Sequence, residues 1–241
     1  MNLDWLERTE LLIKEDGIKK LQKSNVLVVG MGGVGSYAAE FLVRAGIGSI
    51  TIIDGDVVDN TNRNRQLHAM KSTIGLSKVD LMSDRLLDIN PELILLAIKE
   101  FIQPERADEI VDVKYNYVIE AIDSFTPKLR VINAAYTKQI PLISSMGAGG
   151  NLDPSKVQIK DISKTYNCPL ARFTRKHLRN DFNIKKGINV VFSNEVQHKE
   201  SLKYTDGQNF KKSFYGTISF IPALFGLYAA SKVINDIIST D

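Results

Sequence analysis

One cysteine, Cys168, stands in a chain of 241 residues. That excludes a disulfide framework and an all-cysteine zinc site. Histidine is nearly as scarce: the three, at 68, 177 and 198, are scattered and assign to no metal site. Net charge is only +3, from 31 basic and 28 acidic residues, too little by itself to imply a nucleic-acid partner. The most apolar stretch, residues 218–230, falls short of the roughly 20 residues that a membrane span needs. Pro222, Lys232, Asn235 and Asp236 interrupt or follow it, so a buried helix over residues 220–238 is expected rather than a stable membrane span. The first eight residues mix acidic and basic groups without a signal-type apolar run, which points to the cytoplasm.

What is present is concentrated in residues 26–36, Val-Leu-Val-Val-Gly-Met-Gly-Gly-Val-Gly-Ser. An apolar run that breaks into glycines and then resumes as a helical pattern reads as buried strand, tight turn and helix start. Such a turn places a nucleotide phosphate on free backbone N–H groups. Gly30 turns the chain, Gly32 and Gly33 let backbone approach the phosphates, and Gly35 lets helix and strand pack closely. The fingerprint alone fits NAD, FAD or ATP equally.

Strand patterns at 25–29, 49–54, 93–98, 117–121 and 141–145 alternate with helix patterns at 34–45, 77–89, 104–111 and 126–138. This predicts an α/β fold with a Rossmann-like, doubly wound, mostly parallel sheet. The pattern changes after Met146. Residues 157–161 alternate like an antiparallel strand, 169–180 form a basic helix, 188–192 form a strand, and 194–213 read as a polar mobile loop. The organisation is an N-terminal helical segment over 1–24, a nucleotide-binding region over 25–150 and an extension over 151–241, within one continuous domain.

The residues beyond the fingerprint discriminate between nucleotides. Asp54 ends the second strand, where a carboxylate holds a ribose. Residues 59–66, Asp-Asn-Thr-Asn-Arg-Asn-Arg-Gln, are polar over the same place, and Arg65 offers a rigid fork for phosphate oxygens. Lys78, at the start of a helix, offers a mobile point charge. Asp123 ends the fourth strand at the carboxyl edge, where a carboxylate holds magnesium against phosphates. An arginine, a lysine and a magnesium-binding carboxylate around one nucleotide imply attack at phosphorus. Hydride transfer has no need of them.

On Gly30-x-Gly-Gly-Val-Gly35, Asp54, Asn62-x-Asn-Arg-Gln66, Lys78 and Asp123, the chain resembles the adenylating enzymes of ubiquitin-activating, molybdopterin and thiamine type. The resemblance implies activation of a carboxylate as an acyl-adenylate, with ATP and Mg2+ bound and pyrophosphate released. It also implies that Asp54 holds the ribose, that Asn62, Arg65 and Lys78 contact phosphates, and that Asp123 carries the metal. Asp56, Gln66 and Ser124 complete the implied nucleotide-binding set. Arg8 would reach from the N-terminal segment into the partner subunit's site of a homodimer. The runs at 145–154, 161–165, 169–172 and 216–222 are similar to a bacterial branch of this family. Members of that branch use ATP to close a threonylcarbamoyl side chain on an anticodon-loop adenosine of tRNA into a ring. Asn167-Cys168 departs from the branch, where an acidic residue is expected before Pro169.

Lys164, Arg172, Arg175, Lys176 and Arg179 belong to a run of basic residues that Lys199, Lys203, Lys211 and Lys212 continue. Four of them have the spacing of one helix face, an electrostatic footprint suited to a tRNA backbone. Tyr166, Phe173 and His177 are interleaved and have the shape to stack on unpaired bases. Cys168 reads as a small, partly buried thiol. The competing reading makes it a thioester carrier in an activator of a ubiquitin-like or sulfur-carrier protein, its pKa lowered by Lys164, Arg172 and a helix terminus. Two further readings remain open: a non-catalytic module that docks a sulfur-transfer protein, and an NAD-dependent oxidoreductase. A monovalent cation at the 147–150 loop is a further candidate ligand.

Overall fold

The structure is a computed structural model that describes residues 4–204 and 213–240. Strands β1 (Asn25–Val29), β2 (Ser49–Ile53), β3 (Ile94–Ile98), β4 (Tyr117–Glu120), β5 (Leu142–Ser145), β6 (Val157–Asp161) and β7 (Asn189–Ser193) form one sheet. Its spatial order is β3-β2-β1-β4-β5-β7-β6, parallel throughout except where β6 meets β7. The chain winds outward from β1 to β3, then returns to place β4 on the other side of β1. A crevice opens at this reversal, between the carboxyl ends of β1 and β4, and ligands bind in such crevices.

Helices α1 (Glu7–Lys23), α2 (Gly35–Arg44), α3 (Lys78–Ile89), α4 (Ala107–Ile110), α5 (Phe125–Thr137), α6 (Pro169–Phe182) and α7 (Phe220–Ser239) cover the sheet. Leu21, Leu42, Val79 and Phe225 bury one face under α1, α2, α3 and α7; Val131, Ile132, Ala171 and Leu178 bury the other under α5 and α6. With both faces covered, the central strands are apolar throughout instead of alternating. Helices α2 and α7 cross at Gly226, where a Cβ would lie 2.4 Å from the Val34 carbonyl oxygen. A side chain there would separate the two helices.

Two sequence expectations change. Residues 104–111 divide into a 3-10 turn, Pro104–Arg106, and the single α-turn of α4, because the backbone leaves the helix at Val111 with ψ 92°. The stretch 194–213 is not irregular throughout: β8 (Leu202–Tyr204) pairs antiparallel with β9 (Ser213–Tyr215) as Leu202 opposite Tyr215 and Tyr204 opposite Ser213. Each strand is only three residues long, so the flanking lysines and polar groups masked the pattern. Residues 205–212, with Lys211 and Lys212, lie outside the described residues. Helix α7 has 20 residues and is long and apolar enough to cross a membrane by length and composition. Ile221, Phe225, Ala230 and Val233 nevertheless lie inside the core.

A fully buried ion pair ties the carboxyl edge together. Glu120 ends β4 and Lys128 lies on α5, both inaccessible to solvent. The Lys128 ammonium donates to Glu120 Oε2 and to the Ser145 carbonyl at 2.8 Å. Ser144 donates to Oε2, and the Ile122 N–H donates to Oε1 at 2.7 Å. Burial pushes the Glu120 carboxyl up, and these donors oppose that push. Removing one partner of such a pair strands the other charge. Lys128→Met is therefore expected to lower stability by about 3–5 kcal/mol. The double change Lys128→Met with Glu120→Gln should recover much of that loss, as read by urea unfolding. A single variant no less stable than the double would show that the pair is not a constraint.

Candidate functional site

The turn from β1 into α2 forms the floor of the crevice. Gly30 has φ +93°, and a Cβ on it would meet the Ala121 carbonyl oxygen at 2.8 Å. A Cβ on Gly35 would fall 1.7 Å from the Gly30 carbonyl oxygen. Only glycine permits either approach. Around Gly32 there is room, the nearest atom to a Cβ being Gln66 Nε2 at 3.9 Å, so another group can approach the backbone there. Gly33 lies under Arg65 and Pro222, with a Cβ 3.3 and 3.1 Å from them.

Asp54, just past β2, is fixed by two backbone donors, the Met31 N–H at 2.7 Å and the Asp56 N–H at 2.8 Å. Burial pushes its carboxyl up, while nearby Lys78 and the two N–H groups pull it down. Lys78 opens α3, capped by Ser77, whose hydroxyl accepts the Asp80 N–H. Its ammonium is buried and donates to Asp56 Oδ2 at 2.8 Å. The expected mobile charge is in fact a held one, because α3 begins inside the crevice.

The polar segment after Asp59 folds into a 3-10 turn, Asn60–Asn64. Asp59 caps it by accepting the Thr61 N–H at 2.8 Å, and Asn62 Oδ1 accepts the Asp59 N–H at 3.1 Å. Arg65 closes the turn and donates from Nη1 to the Thr61 carbonyl at 3.0 Å and to Asn64 Oδ1 at 2.9 Å. Burial lowers its pKa, and the nearby Asp123 charge opposes that shift. Ser124 stands at the N-cap of α5, immediately after Asp123. Arg8 is exposed on α1 and, among the described residues, makes no hydrogen bond or ion pair with this site.

Sequence reasoning assigns no role to His68. It is 4% exposed, and neither ring nitrogen has a hydrogen-bond partner among the described residues; Gln66 Oε1 is likewise buried and unpartnered. Burial, together with the nearby Lys78 charge, pushes the imidazole down to about 4, so it is neutral at ordinary pH. The signal that could have found it is its place two residues after Gln66, in the segment that carries Arg65.

Cys168 stands at the N-cap of α6 with its side chain buried and makes no capping hydrogen bond. Burial pushes its thiol up, the opposite of what a thioester carrier requires. Nearby, Gln197 Nε2 donates to the Gly149 carbonyl at 2.8 Å, and Asn151 Nδ2 to those of Gly147 and Gly149 at 3.3 and 3.2 Å. Asn151 Oδ1 and Gln197 Oε1 are buried without a partner. On α6, Arg172, Lys176 and Arg179 are exposed, as is Lys164 before it. Arg175 instead turns inward, its Nη1 donating to the Ile162 and Thr165 carbonyls at 3.1 and 3.0 Å. Two carbonyls and a hydroxyl of the β6–α6 connection thus hold a guanidinium that spacing alone had put on the exposed face.

Residues 6–240 match the model of the ThiF family. The tRNA threonylcarbamoyladenosine dehydratase of Bacillus subtilis is 42% identical over 243 residues, covering 98% of this chain and 95% of that protein. The Haemophilus influenzae enzyme of the same name is 39% identical, covering 94% and 90%. The crystal structure of Escherichia coli TcdA in complex with ATP superposes with a TM-score of 0.89 at 36% identity, covering 99% of this chain and 97% of that one. The chain therefore belongs to the ThiF family and, within it, groups with the tRNA threonylcarbamoyladenosine dehydratases.

Proposed function

We propose that this chain is an ATP-dependent tRNA threonylcarbamoyladenosine dehydratase. The observation that carries the reading is the convergence of Arg65, buried Lys78 and Asp123 on the glycine turn of a chain whose relatives carry that name. ATP lies with its ribose at Asp54 and Asp56 and its phosphates on the turn of Gly30, Gly32, Gly33 and Gly35. Asn62, Arg65, Gln66, Lys78 and Ser124 complete the cradle. The substrate carboxylate attacks the α-phosphorus, and the bond to the β-phosphate oxygen breaks to release pyrophosphate. The carbamoyl oxygen of the same side chain then attacks the activated acyl carbon, AMP leaves with the former carboxylate oxygen, and a proton is lost. The net change is removal of one water, with no enzyme nucleophile.

The protein's task in both steps is to position groups and to offset developing negative charge. Lys78 is suited to this because it is buried and already oriented by Asp56. Arg65, whose Cγ lies against Gly33, adds a planar guanidinium fork. Among the described residues no three acidic, histidine or cysteine side chains form a metal cluster. A lone carboxylate such as Asp123 suits Mg2+, which binds through one or two carboxylates together with substrate phosphates. When bound there, Mg2+ would neutralise charge on the phosphates. The Gly147 and Gly149 carbonyls with Asn151 Oδ1 and Gln197 Oε1 make an oxygen set fit for a monovalent cation.

The extension over 151–241 serves tRNA binding and dimer formation in this reading. An apolar groove of about 270 Å³ between Tyr37, Phe41, Pro154, Phe220, Leu224 and Leu227 supports a homodimer, into whose second site Arg8 would reach. The place of action is the cytoplasm.

Incubation of threonylcarbamoyladenosine-bearing tRNA with the protein and magnesium-ATP should give nucleosides lighter by one water, read by mass spectrometry after mild digestion. Bound ATP with no change in mass would sink the proposal. Arg65→Ala and Asp123→Ala should each lower turnover by at least roughly 100-fold while leaving the circular dichroism unchanged. Full activity in either removes that residue from the site. Cys168→Ser should turn over normally, and a dead but folded variant would restore the thioester reading.

The neutral His68 offers one donor and one acceptor on the nucleotide side, and it has a pH signature. Its folded pKa of about 4 lies below the ordinary 6.5, so the unfolded chain binds the extra proton between those values. Its contribution to stability is complete above pH 6.5 and is lost as pH falls toward 4, on the order of 3 kcal/mol in all. His68→Gln should flatten that part of the stability–pH curve. An unchanged slope would place the titration elsewhere.

A further inference from the structure

Helices α5 and α6 lie side by side, out of step. The Phe125 ring, on the first residue of α5, meets the His177 ring at a centroid separation of 5.2 Å, and Arg130 lies 5.5 Å from the Phe182 centroid. His177 is well inside α6, which begins at Pro169. About two turns of α6 therefore extend past the start of α5, on the order of 12 Å at the rise of an α-helix. Leu170, in the first turn of α6, lies against Gly147 just beyond the carboxyl end of β5, a Cβ on Gly147 falling 3.7 Å from the Leu170 Cβ. The overhang thus stands on the side of the sheet that carries Asp123 and the glycine turn.

The overhang has an exposed basic and aromatic face. Arg172, Phe173 and Lys176 are exposed, while Ala171 and Thr174 face inward and are buried. The Phe173 ring is 48% exposed, with the Arg172 guanidinium 5.1 Å from its centroid. Beside α6, Tyr166 is 47% exposed, with the Lys160 ammonium 5.4 Å from its centroid. One exposed ring needs no explanation. Two rings, each with a cation over it, in a segment dense in lysine and arginine, have the chemistry that holds single-stranded RNA: stacking surface and phosphate-neutralising charge together.

We infer that the first two turns of α6 are the docking platform for the single-stranded loop of the RNA substrate. Phe173 stacks on an unpaired base beside the reacting adenosine, and Arg172 and Lys176 hold the flanking phosphates. This rests on the tRNA reading above. Arg175 is outside the platform because its guanidinium holds the β6–α6 connection. Arg179 lies below the start of α5, away from the mouth of the site.

The test uses the full chain and a synthetic anticodon stem-loop RNA. Trp5 is the only tryptophan, so Phe173→Trp in a Trp5→Phe background places the one fluorophore on the platform. Its emission should be quenched by the stem-loop and far less by a blunt RNA duplex of equal length. Phe173→Leu should weaken stem-loop binding roughly ten-fold, leave ATP binding intact, and leave the salt dependence of affinity unchanged. Arg172→Gln with Lys176→Gln should instead reduce the slope of log affinity against log salt by roughly 0.7 for each phosphate no longer neutralised. If the wild type dehydrates tRNA but Phe173→Leu binds the stem-loop as well as wild type, or the reporter is not quenched, the platform is overturned and the function stands. A wild type that binds ATP but neither tRNA nor stem-loop overturns both.

Discussion

The close approach of the glycine turn to β4 governs what surrounds it. Gly30 and Gly35 bring the start of α2 against Ala121, and the Ala121 N–H donates to the Val29 carbonyl at 2.8 Å, at the point where strand order reverses. Because Gly226 sits against Val34 at the head of α2, α7 is drawn to the same turn. Gly33 in turn touches Pro222 of α7 and Arg65 of the polar segment. A side chain at any of these glycines would displace more than its neighbour: the phosphate turn, the last helix and the arginine move together or not at all. Close-packed interiors transmit strain of this kind instead of absorbing it.

Charge is arranged around that turn in two layers. Glu120 and Lys128 lie below the crevice, fully buried, and satisfy one another with help from Ser144 and two backbone groups. They face no ligand; they hold the ends of β4 and β5 to α5, and Asp123 and Ser124 lie on the short connection between. Lys78, Arg65 and Asp54 form the upper layer, each already oriented by protein partners before any ligand is bound. Groups fixed in advance need little reorganisation when charge develops on a phosphate. Gln66 Oε1 and the His68 ring, two of the buried polar groups without a hydrogen-bond partner among the described residues, belong to the segment that carries Arg65.

Much of this was legible in the residues, for definable reasons. The five strands through β5 announce themselves as short apolar runs, which the central strands owe to cover on both faces, and the expected ends match to within a residue; β3, at the sheet edge, leaves Ile94 and Leu96 exposed. The nucleotide crevice follows from where those strands end. What stayed hidden depends on contacts between residues far apart in sequence. Lys78 looked mobile because nothing local says that α3 begins inside the crevice. Nothing local marks Glu120 and Lys128 as a buried pair, because their burial comes from β5 and α5 closing over them. Arg175 kept perfect helical spacing with its exposed neighbours, yet the 3-10 turn Ile162–Lys164 and Thr165 present carbonyls that draw it inward. The β8–β9 hairpin has too few residues per strand to establish a period.

The division between buried and exposed cations also explains how a chain of net charge +3 can serve a polyanion. Overall charge is the wrong quantity, since fields beyond about 10 Å are screened at ordinary salt. What matters is which cations face one surface without carboxylates beside them. Lys78 and Lys128 are matched by Asp56 and Glu120 and contribute little field outside the protein. Arg44 and Arg85 share Glu40, and Lys99 pairs with Asp80. On the overhang of α6 the pattern reverses, with Arg172 and Lys176 exposed and the helix's one carboxylate, Asp181, near its far end and paired with His177. Matched charges build the chemical site and unmatched ones stand at its mouth. Salt should therefore act on the encounter with a nucleic acid far more than on the reaction that follows it.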